Sequence, residues 1–244
     1  MSLPVFLSDA VTTASRDDTF DLDGDEGRHA ATVMRIRVGE QVVVTDGAGT
    51  SATCTVVEAT KSVLTLRAVS VGFTERPSPE ITVVQAIPKG DRGELAVEML
   101  TEIDVSRIVP WAASRSVAVW RGERVAKSLA KWRATARTAA KQARRTWLPE
   151  VTDVATTEDV VSLLDQADLA MVLHEDTQVP LAALFLNDVT HVVVVVGPEG
   201  GISDEELAAF AGAEVVRLGP TVLRTSTAGV AAVAALLSRT PRWS

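Results

Sequence analysis

The residues best suited to chemistry lie in two short loops in the last quarter of the chain. The first loop, residues 197–201, reads Gly-Pro-Glu-Gly-Gly, and the second begins at Gly219-Pro220. Glycines allow positive φ angles and let a ligand approach the bare backbone, while proline stiffens a turn. The pattern therefore predicts that main-chain N–H and C=O groups in these loops bind a ligand.

Each loop lies between a predicted strand and a predicted helix. Five valines at residues 192–196 are typical of a strand buried on both faces, and residues 214–218 form the second strand. Ser203 and Glu206 form a capping box that predicts the next helix. Ala-rich residues 226–237 predict a last helix, in the core or at a dimer interface. Loops at the carboxyl edge of a parallel sheet bind ligands, although an ordinary tight turn remains the alternative for either loop alone.

These segments resemble the RsmE family, in the SPOUT class of S-adenosylmethionine-dependent RNA methyltransferases. The matching segments are VVGPEGGISDEEL at residues 195–207 and RLGPTVLRTSTA at residues 217–228. Family members methylate N3 of a uridine in 16S ribosomal RNA. This chain departs from the family at Ser226, where family members commonly carry Glu.

The resemblance implies an N-terminal all-β module and an α/β domain. The module would be a PUA-like RNA-binding β-barrel over residues 1–72, and residues 73–244 would form a SPOUT domain with a parallel sheet and a C-terminal trefoil knot. It further implies a homodimer with the target base at the junction of two subunits. S-adenosylmethionine would lie among three loops whose residues are Leu173, His174, Glu175, Val196, Gly197, Pro198, Glu199, Gly200, Gly201, Leu218, Gly219, Leu223, Arg224 and Thr225.

The first third of the chain has the pattern of the all-β module. Short Val- and Thr-rich runs at residues 41–45, 52–58 and 63–69 predict strands, and the proline-containing residues 73–79 predict a linker. Residues 28–40 resemble the His-x-x-x-Val-x-Arg segment of the family. Arg28, Arg35 and Arg37 are the residues expected to contact RNA phosphates, with simple solvation of a helix face as the alternative.

The middle third is basic in an otherwise acidic protein. The net charge is −8, yet residues 73–150 carry 14 basic and 9 acidic side chains. Local charge governs attraction to phosphates, so the total does not exclude an RNA partner. Strands at residues 82–87 and 107–111 flank a helix at residues 93–103, and this alternation predicts a parallel sheet. Glutamates at positions 94, 98 and 102 of that helix are interpreted as a solvated stripe.

Residues 115–145 contain ten Lys or Arg residues and one acidic residue. An apolar stripe predicts a long helix, and it consists of Val125, Leu129, Trp132, Ala136, Ala139 and Ala143. A separate basic row is predicted to face RNA, although a merely solvated face remains the alternative. This row comprises Arg133, Arg137, Lys141 and Arg144, and resemblance to family segments adds Arg115, Gln142 and Arg145.

Composition excludes several other classes. The single cysteine, Cys54, excludes an internal disulfide and suits a reducing cytosol, so a cytoplasmic protein is expected. The apolar runs are too short to cross a bilayer. The three histidines lack metal-ligand spacing, so neither a membrane nor a metal is expected.

The activity that the resemblance implies is methyl transfer, by in-line displacement, to N3 of a uridine in the decoding region of 16S ribosomal RNA, on the small ribosomal subunit. No base-reading code is visible in the chain. Arg224 is the candidate that stabilises negative charge on the uracil, and Glu199 is the weaker candidate, as a base or a loop anchor. Two alternatives stay open at this point. The chain could be a SPOUT enzyme acting on a ribose 2′-hydroxyl or on guanine, or a non-catalytic RNA-binding assembly factor.

Overall fold

The computed structural model describes residues 3–243 and contains two compact units. Unit 1 consists of residues up to Arg76 together with Ala140–Leu148, and unit 2 consists of Pro77–Ala139 and the residues from Pro149 onward. Met1, Ser2 and Ser244, which the predicted domains include, lie outside the described residues.

Unit 1 is built on one five-stranded sheet. Its strands are β1 (Val5–Leu7), β2 (Thr19–Leu22), β3 (Gln41–Thr45), β4 (Thr50–Ala59) and β5 (Leu64–Phe73), in the order β1-β3-β4-β5-β2. Among the described strands of this sheet, β1 and β3 pair in parallel, and the other neighbouring strands pair antiparallel. Helix α1 (Gly24–Arg28) continues into a π-helical turn (His29–Val33). The predicted all-β module is confirmed, and β1 and β2 are strands that the sequence patterns did not indicate.

Alternate side chains of β4 are buried in a single core, as expected for a strand with one face covered. Register shifts between β4 and β5 at Thr53/Cys54 and Val56/Glu58 mark bulges, which add local twist.

The segment Ala140–Leu148 completes unit 1. The Lys141 ammonium lies 2.7 Å from a carboxylate oxygen of Glu26 and 5.7 Å from the centre of the Phe6 ring. Trp147 packs edge-on against Phe73, with 6.1 Å between ring centres, and its indole N–H donates to the Thr74 carbonyl at 2.8 Å. This segment is therefore part of the packing of the all-β unit.

Unit 2 contains a six-stranded sheet in which every pair is parallel. The strands are β6 (Glu80–Ala86), β7 (Arg107–Trp111), β8 (Glu150–Val151), β9 (Leu169–Leu173), β10 (His191–Val196) and β11 (Glu214–Val216), in the order β11-β9-β10-β6-β7-β8. The helices are α2 (Arg92–Glu102), α3 (Glu123–Gln142), α4 (Thr157–Asp165), α5 (Asp204–Ala209) and α6 (Thr225–Leu237). The predicted parallel α/β domain is confirmed.

Strand β10 lies at the centre of this sheet and separates two cores. Val192, Val194 and Val196 belong to the core that includes residues of α2, α3 and α6, whereas Val193 and Val195 belong to the core with α4 residues. Each valine of residues 192–196 is at most 2% exposed. Alternation along the strand sends successive side chains to opposite faces, which confirms the strand predicted to be buried on both sides.

The predicted helices α3 and α6 both contribute buried residues to the core. In α3, Leu129, Trp132, Ala136 and Ala139 are buried as the stripe predicted. Ala143, also assigned to the stripe, is wrong: it follows the end of α3 and is exposed, because the backbone reaches a positive φ of 57° at Arg144. Helix α6 buries one face in the core, where Gly229 lies close to Val196.

None of the described helices combines the length and the apolar character needed to cross a bilayer.

Candidate active site

A cavity of about 810 Å³ opens at the carboxyl edge of the sheet in unit 2. Its walls come mainly from the three segments that follow β9, β10 and β11. All the residues predicted to bind the cofactor line it, namely Leu173, His174, Glu175, Val196, Gly197, Pro198, Glu199, Gly200, Gly201, Leu218, Gly219, Leu223, Arg224 and Thr225. The structure therefore brings three segments, separated by up to 52 positions in the chain, to one place.

The loop after β10 needs its glycines. Gly201 has a φ of 74°, a conformation that side chains disfavour. A Cβ atom on Gly200 would lie 2.8 Å from the carbonyl oxygen of Arg115, and one on Gly197 would lie 2.8 Å from the side chain of Ile202. The loop thus packs directly against the Arg115 backbone and the Ile202 side chain, and its residues also line the cavity.

A buried carboxylate fixes the end of this loop. Ser203 caps α5, and the Glu206 carboxylate completes the predicted capping box by accepting from the Ser203 N–H at 3.0 Å. The other Glu206 oxygen accepts from the Ser114 N–H at 2.7 Å. Arg115 donates to the Ile202 carbonyl at 3.4 Å. The segment after β7 is thereby tied to the loop after β10.

The segment after β9 is joined to β11 by main-chain hydrogen bonds. The His174 N–H donates to the Val216 carbonyl, and the Arg217 N–H donates to the Val179 carbonyl, both at 2.9 Å. The His174 Nδ1 atom accepts from the Asp176 N–H at 3.2 Å, so the imidazole is engaged in a local turn. Among the described residues no group of three or more His, Cys, Asp or Glu side chains is placed to hold a metal ion.

Charged side chains surround the cavity. Arg224 precedes the first residue of α6, its side chain is exposed, and its carbonyl accepts from the Thr227 and Ala228 N–H groups at 2.9 Å. Glu199 accepts from the Lys89 N–H at 3.2 Å, which supports the role of a loop anchor. The charges on these two side chains are therefore available at the wall of one cavity.

Arg92 and Arg115 also line the cavity. Arg115 was predicted to bind RNA, and Arg92 was not assigned a role. The missed signal is the polar turn Lys89-Gly90-Asp91 between β6 and α2, since a turn at the carboxyl end of a parallel strand points its residues to the ligand edge. The pKa of Glu205 is lower than usual, first because its own backbone N–H and the Ser203 side chain donate hydrogen bonds to it. The positive charge of Arg115 adds to this effect.

Ser226 stands at the floor of the cavity. It is 2% exposed, and its hydroxyl has no hydrogen-bond partner among the described atoms. Gln85, at the end of β6, donates to the neighbouring Thr225 carbonyl at 3.3 Å. A neutral hydroxyl therefore occupies the position at which the resemblance leads one to expect a carboxylate.

The residues predicted to bind RNA fall in both units. In unit 1, Arg28, Arg35 and Arg37 are exposed, and Arg28 pairs with Asp25 at 3.0 Å. On α3 in unit 2, Arg133 pairs with Asp153 at 2.9 Å and remains half exposed, and Arg137 is exposed.

The residues at and beyond the end of α3 differ from one another. Gln142 and Arg144 are exposed. Arg145 is only 8% exposed, and the Lys141 side chain is 21% exposed and held by Glu26. Both side chains are drawn into the packing of unit 1, and contact of Lys141 and Arg145 with RNA stays a prediction.

Comparison with known proteins places this arrangement among RNA methyltransferases. Residues 74–237 match the family described as RNA methyltransferase domain, and residues 22–68 match the family described as RNA methyltransferase PUA domain. A Mycobacterium bovis protein named ribosomal RNA small subunit methyltransferase E is 46% identical over 228 residues, covering 91% of this chain and 87% of that protein. A Bacillus subtilis protein of the same name is 26% identical over 232 residues, covering 91% of each.

Solved structures agree with these sequence matches. A ribosomal RNA small subunit methyltransferase E from Neisseria gonorrhoeae, bound to S-adenosyl methionine, superposes with a TM-score of 0.87 at 27% identity and covers 98% of both chains. A Legionella pneumophila protein described as a methyltransferase in complex with the same cofactor gives the same TM-score, identity and coverage.

Proposed function

The chain belongs to the family of ribosomal RNA small subunit methyltransferase E, the RsmE family, and we propose that it transfers a methyl group from S-adenosylmethionine to N3 of a uridine in 16S ribosomal RNA. The cavity at the carboxyl edge of the sheet in unit 2 carries this proposal. Its wall combines the loop at residues 197–201 with residues 218–225, and both lie in the segments whose sequences resemble those of the family.

The cavity fits the proposed cofactor in size and in chemistry. About 810 Å³ lies in the range of sites for cofactor-sized ligands. The glycine loop at residues 197–201 and the main chain at residues 173–175 line the cavity, and main-chain groups there can bind the edge of an adenine ring without charged side chains. The N–H groups of His174 and Gly201 are not among them, because they donate to the Val216 and Pro198 carbonyls. When bound, the cofactor supplies a methyl carbon on a positively charged sulfur, which is a good leaving group.

The protein must align the uracil and favour loss of its N3 proton. We assign the stabilisation of the negative charge that then forms on the ring to Arg224, because its exposed guanidinium lines the cavity at the start of α6. Arg92 and Arg115 add positive charge along the same wall. Glu199 serves as the anchor of its loop through the Lys89 N–H.

A homodimer that completes the base site is part of the proposal. Val222 and Leu223 lie in the cavity wall with exposures of 74% and 38%. Apolar side chains at the rim of a ligand site are suited to contact with a second subunit. Sedimentation of the purified protein at twice the monomer mass would support this arrangement, and a monomer at micromolar concentration would contradict it.

The trefoil knot likewise remains a proposal. The segment at residues 174–184 is bonded on one side to Val216 and Arg217, and its carbonyls at Leu181 and Leu184 accept from the Arg239 side chain beyond α6. These bonds join the segment both to the residues at β11 and to the C-terminal region, and this proximity supports the proposal of a chain threaded past the segment. Ribosomal RNA as substrate also implies that the protein works in the cytoplasm.

The test is methyl transfer from labelled S-adenosylmethionine to small ribosomal subunits that lack the modification, with the product nucleoside identified by mass spectrometry. N3-methyluridine is the expected product. Label in guanosine or in a ribose 2′-O-methyl group would replace the uridine assignment. Cofactor binding without transfer to any RNA would indicate a binding protein instead of an enzyme.

The role of Arg224 is tested by Arg224→Ala, with Arg224→Lys as the conservative variant. Turnover at saturating cofactor should fall by about 100-fold, because the interaction forms only as charge develops on the uracil. Lysine should restore part of the rate. Full turnover by Arg224→Ala would contradict the role.

A further inference from the structure

Residues 33–38 of unit 1, here called the tip, expose several large apolar side chains. Val33 is 67% exposed, Met34 is 45% exposed and Val38 is 60% exposed. In the described part of unit 1 the only other large apolar side chains with comparable exposure are Val69 and Phe73. Three of these five thus fall within six consecutive residues.

The backbone of the tip is held in place. The Met34 N–H donates to the His29 carbonyl at 3.0 Å, which closes the π-helical turn, and the Ile36 N–H donates to the Ala30 carbonyl at 3.0 Å. Ile36 packs against the core of the unit. Arg35 has a φ of 57°, a strained conformation that persists only where the surrounding structure enforces it. The apolar side chains are therefore presented in a fixed arrangement.

The tip is also basic. Between Glu26 and Glu40 the charged residues are Arg28, Arg35 and Arg37, all exposed. Glu26 holds Lys141, Arg28 pairs with Asp25, and the Glu40 carboxylate accepts from the Arg37 backbone N–H at 2.8 Å, so the side chains of Arg35 and Arg37 carry the positive charge of the tip itself. Because residues 1–72 otherwise carry an excess of acidic groups, the positive charge is concentrated at this one place. Apolar side chains beside arginines complement RNA, which offers base faces next to phosphates.

We propose that the tip is an RNA wedge, in which Val33 and Met34 insert against exposed base faces of the substrate while Arg35 and Arg37 hold the adjoining phosphates. Apolar side chains used in this way unstack bases and fix the bend or opening of the nucleic acid. The wedge rests on the proposed function only in taking 16S ribosomal RNA as the ligand. It adds a contact that selects unpaired or distorted RNA over a regular helix.

The contribution of the phosphate contacts to RNA binding can be measured separately from the contribution of the base contacts. Contacts with phosphates release counterions and weaken with salt, whereas insertion against bases does not. Binding of a 16S ribosomal RNA transcript is measured by fluorescence anisotropy between 50 and 300 mM salt, without cofactor. The double variant Val33→Ser/Met34→Ser should raise Kd by about tenfold at every salt concentration and leave the slope of log Kd against log salt unchanged.

The matched variants should behave differently. Arg37→Ala should reduce the salt slope by about 0.7 to 0.9, the loss of one phosphate contact. Val69→Ser, which removes an apolar side chain of 40% exposure from the same unit, should bind like the wild type. Arg16→Ala, outside the tip, should leave the slope unchanged. Circular dichroism of each variant checks that unit 1 is folded.

Several results would overturn the wedge. A Kd for Val33→Ser/Met34→Ser within twofold of the wild-type value would show that these apolar side chains do not contribute to binding. Absence of binding between the wild-type protein and the transcript would show that RNA is not the ligand of the tip. Weaker binding to assembled small subunits but not to the transcript would identify a ribosomal protein as the partner instead. Since the assay needs no methyl transfer, failure to find N3-methyluridine would leave the wedge standing.

Discussion

The substitution Gly200→Ala tests whether the loop after β10 is shaped for the cofactor. The added Cβ would lie 2.8 Å from the Arg115 carbonyl oxygen and 3.1 Å from the Arg115 Cβ, whereas ordinary contact begins at 3.4 Å. The Cβ and the oxygen must therefore separate by about 0.6 Å. The segment that carries Arg115 is held by the Ser114 bond to buried Glu206, so the displacement falls mainly on the loop and narrows the cavity.

The expected result is a Kd for S-adenosylmethionine raised by ten- to 100-fold, because displacements near 1 Å at a positioning site cost about that much. Isothermal titration calorimetry measures the affinity directly, and a melting curve without cofactor measures stability. Methyl transfer at saturating cofactor should recover in part.

Gly201→Ala is the matched control. A Cβ at Gly201 meets nothing within 4 Å, but its φ of 74° disfavours a side chain. The cost is about 1 kcal/mol of conformational strain, seen as a melting temperature lower by about 2–4 °C. Its cofactor affinity should change less than that of Gly200→Ala. Wild-type affinity and melting for Gly200→Ala would refute the steric reasoning.

Further predictions concern the ion pair, an exposed acid and the thiol. Lys141→Met should lower the stability of unit 1 by about 2 kcal/mol in urea, because it removes the 2.7 Å ion pair with Glu26, whose side chain is 15% exposed, and Glu26→Gln should then restore part of the loss; an unchanged midpoint would contradict this. The pKa of Asp168 lies below its usual value because the side chain and backbone of Thr190 donate to it, so it stabilises the fold above pH 3.8 and loses this effect as pH falls through the folded pKa. The free energy of unfolding of Asp168→Asn should therefore be lower than that of the wild type near neutral pH and equal to it at the acid end. A difference between the two proteins that stays constant with pH would contradict this. Burial raises the pKa of Cys54 to about 11, so a disulfide reagent at pH 8 should label it only after unfolding, and rapid labelling of the native protein would show that it is accessible.

Local patterns were enough to predict much of the fold and of the candidate site. The valines of β10 have no polar interruption, and Ser203 with Glu206 carries its own hydrogen-bonding pattern, so both could be recognised without tertiary information. The loops at the cavity could be predicted because strands in a parallel sheet bring their carboxyl ends to one edge.

Contacts between distant residues could not be predicted in this way. Lys141 lies in a helical row that looks exposed, yet its partner Glu26 is 115 positions away. Arg145 is buried although the preceding Arg144 is exposed. The short strands β1 and β2 contain three and four residues, too few for a periodic pattern, and only their pairing identifies them.

Unit 1 takes its last nine residues, Ala140–Leu148, from the middle of the chain. A gene cut once after codon 76 would therefore yield neither unit whole. The shortened first piece would lack the Leu148 side chain that now packs on Gly47 and the Trp147 ring that now packs on Gly49, and the second piece would carry both side chains without these partners. The residues of unit 1 are therefore not contiguous in the chain. An exchange between relatives, whether by recombination or in the laboratory, must move both pieces of unit 1 together.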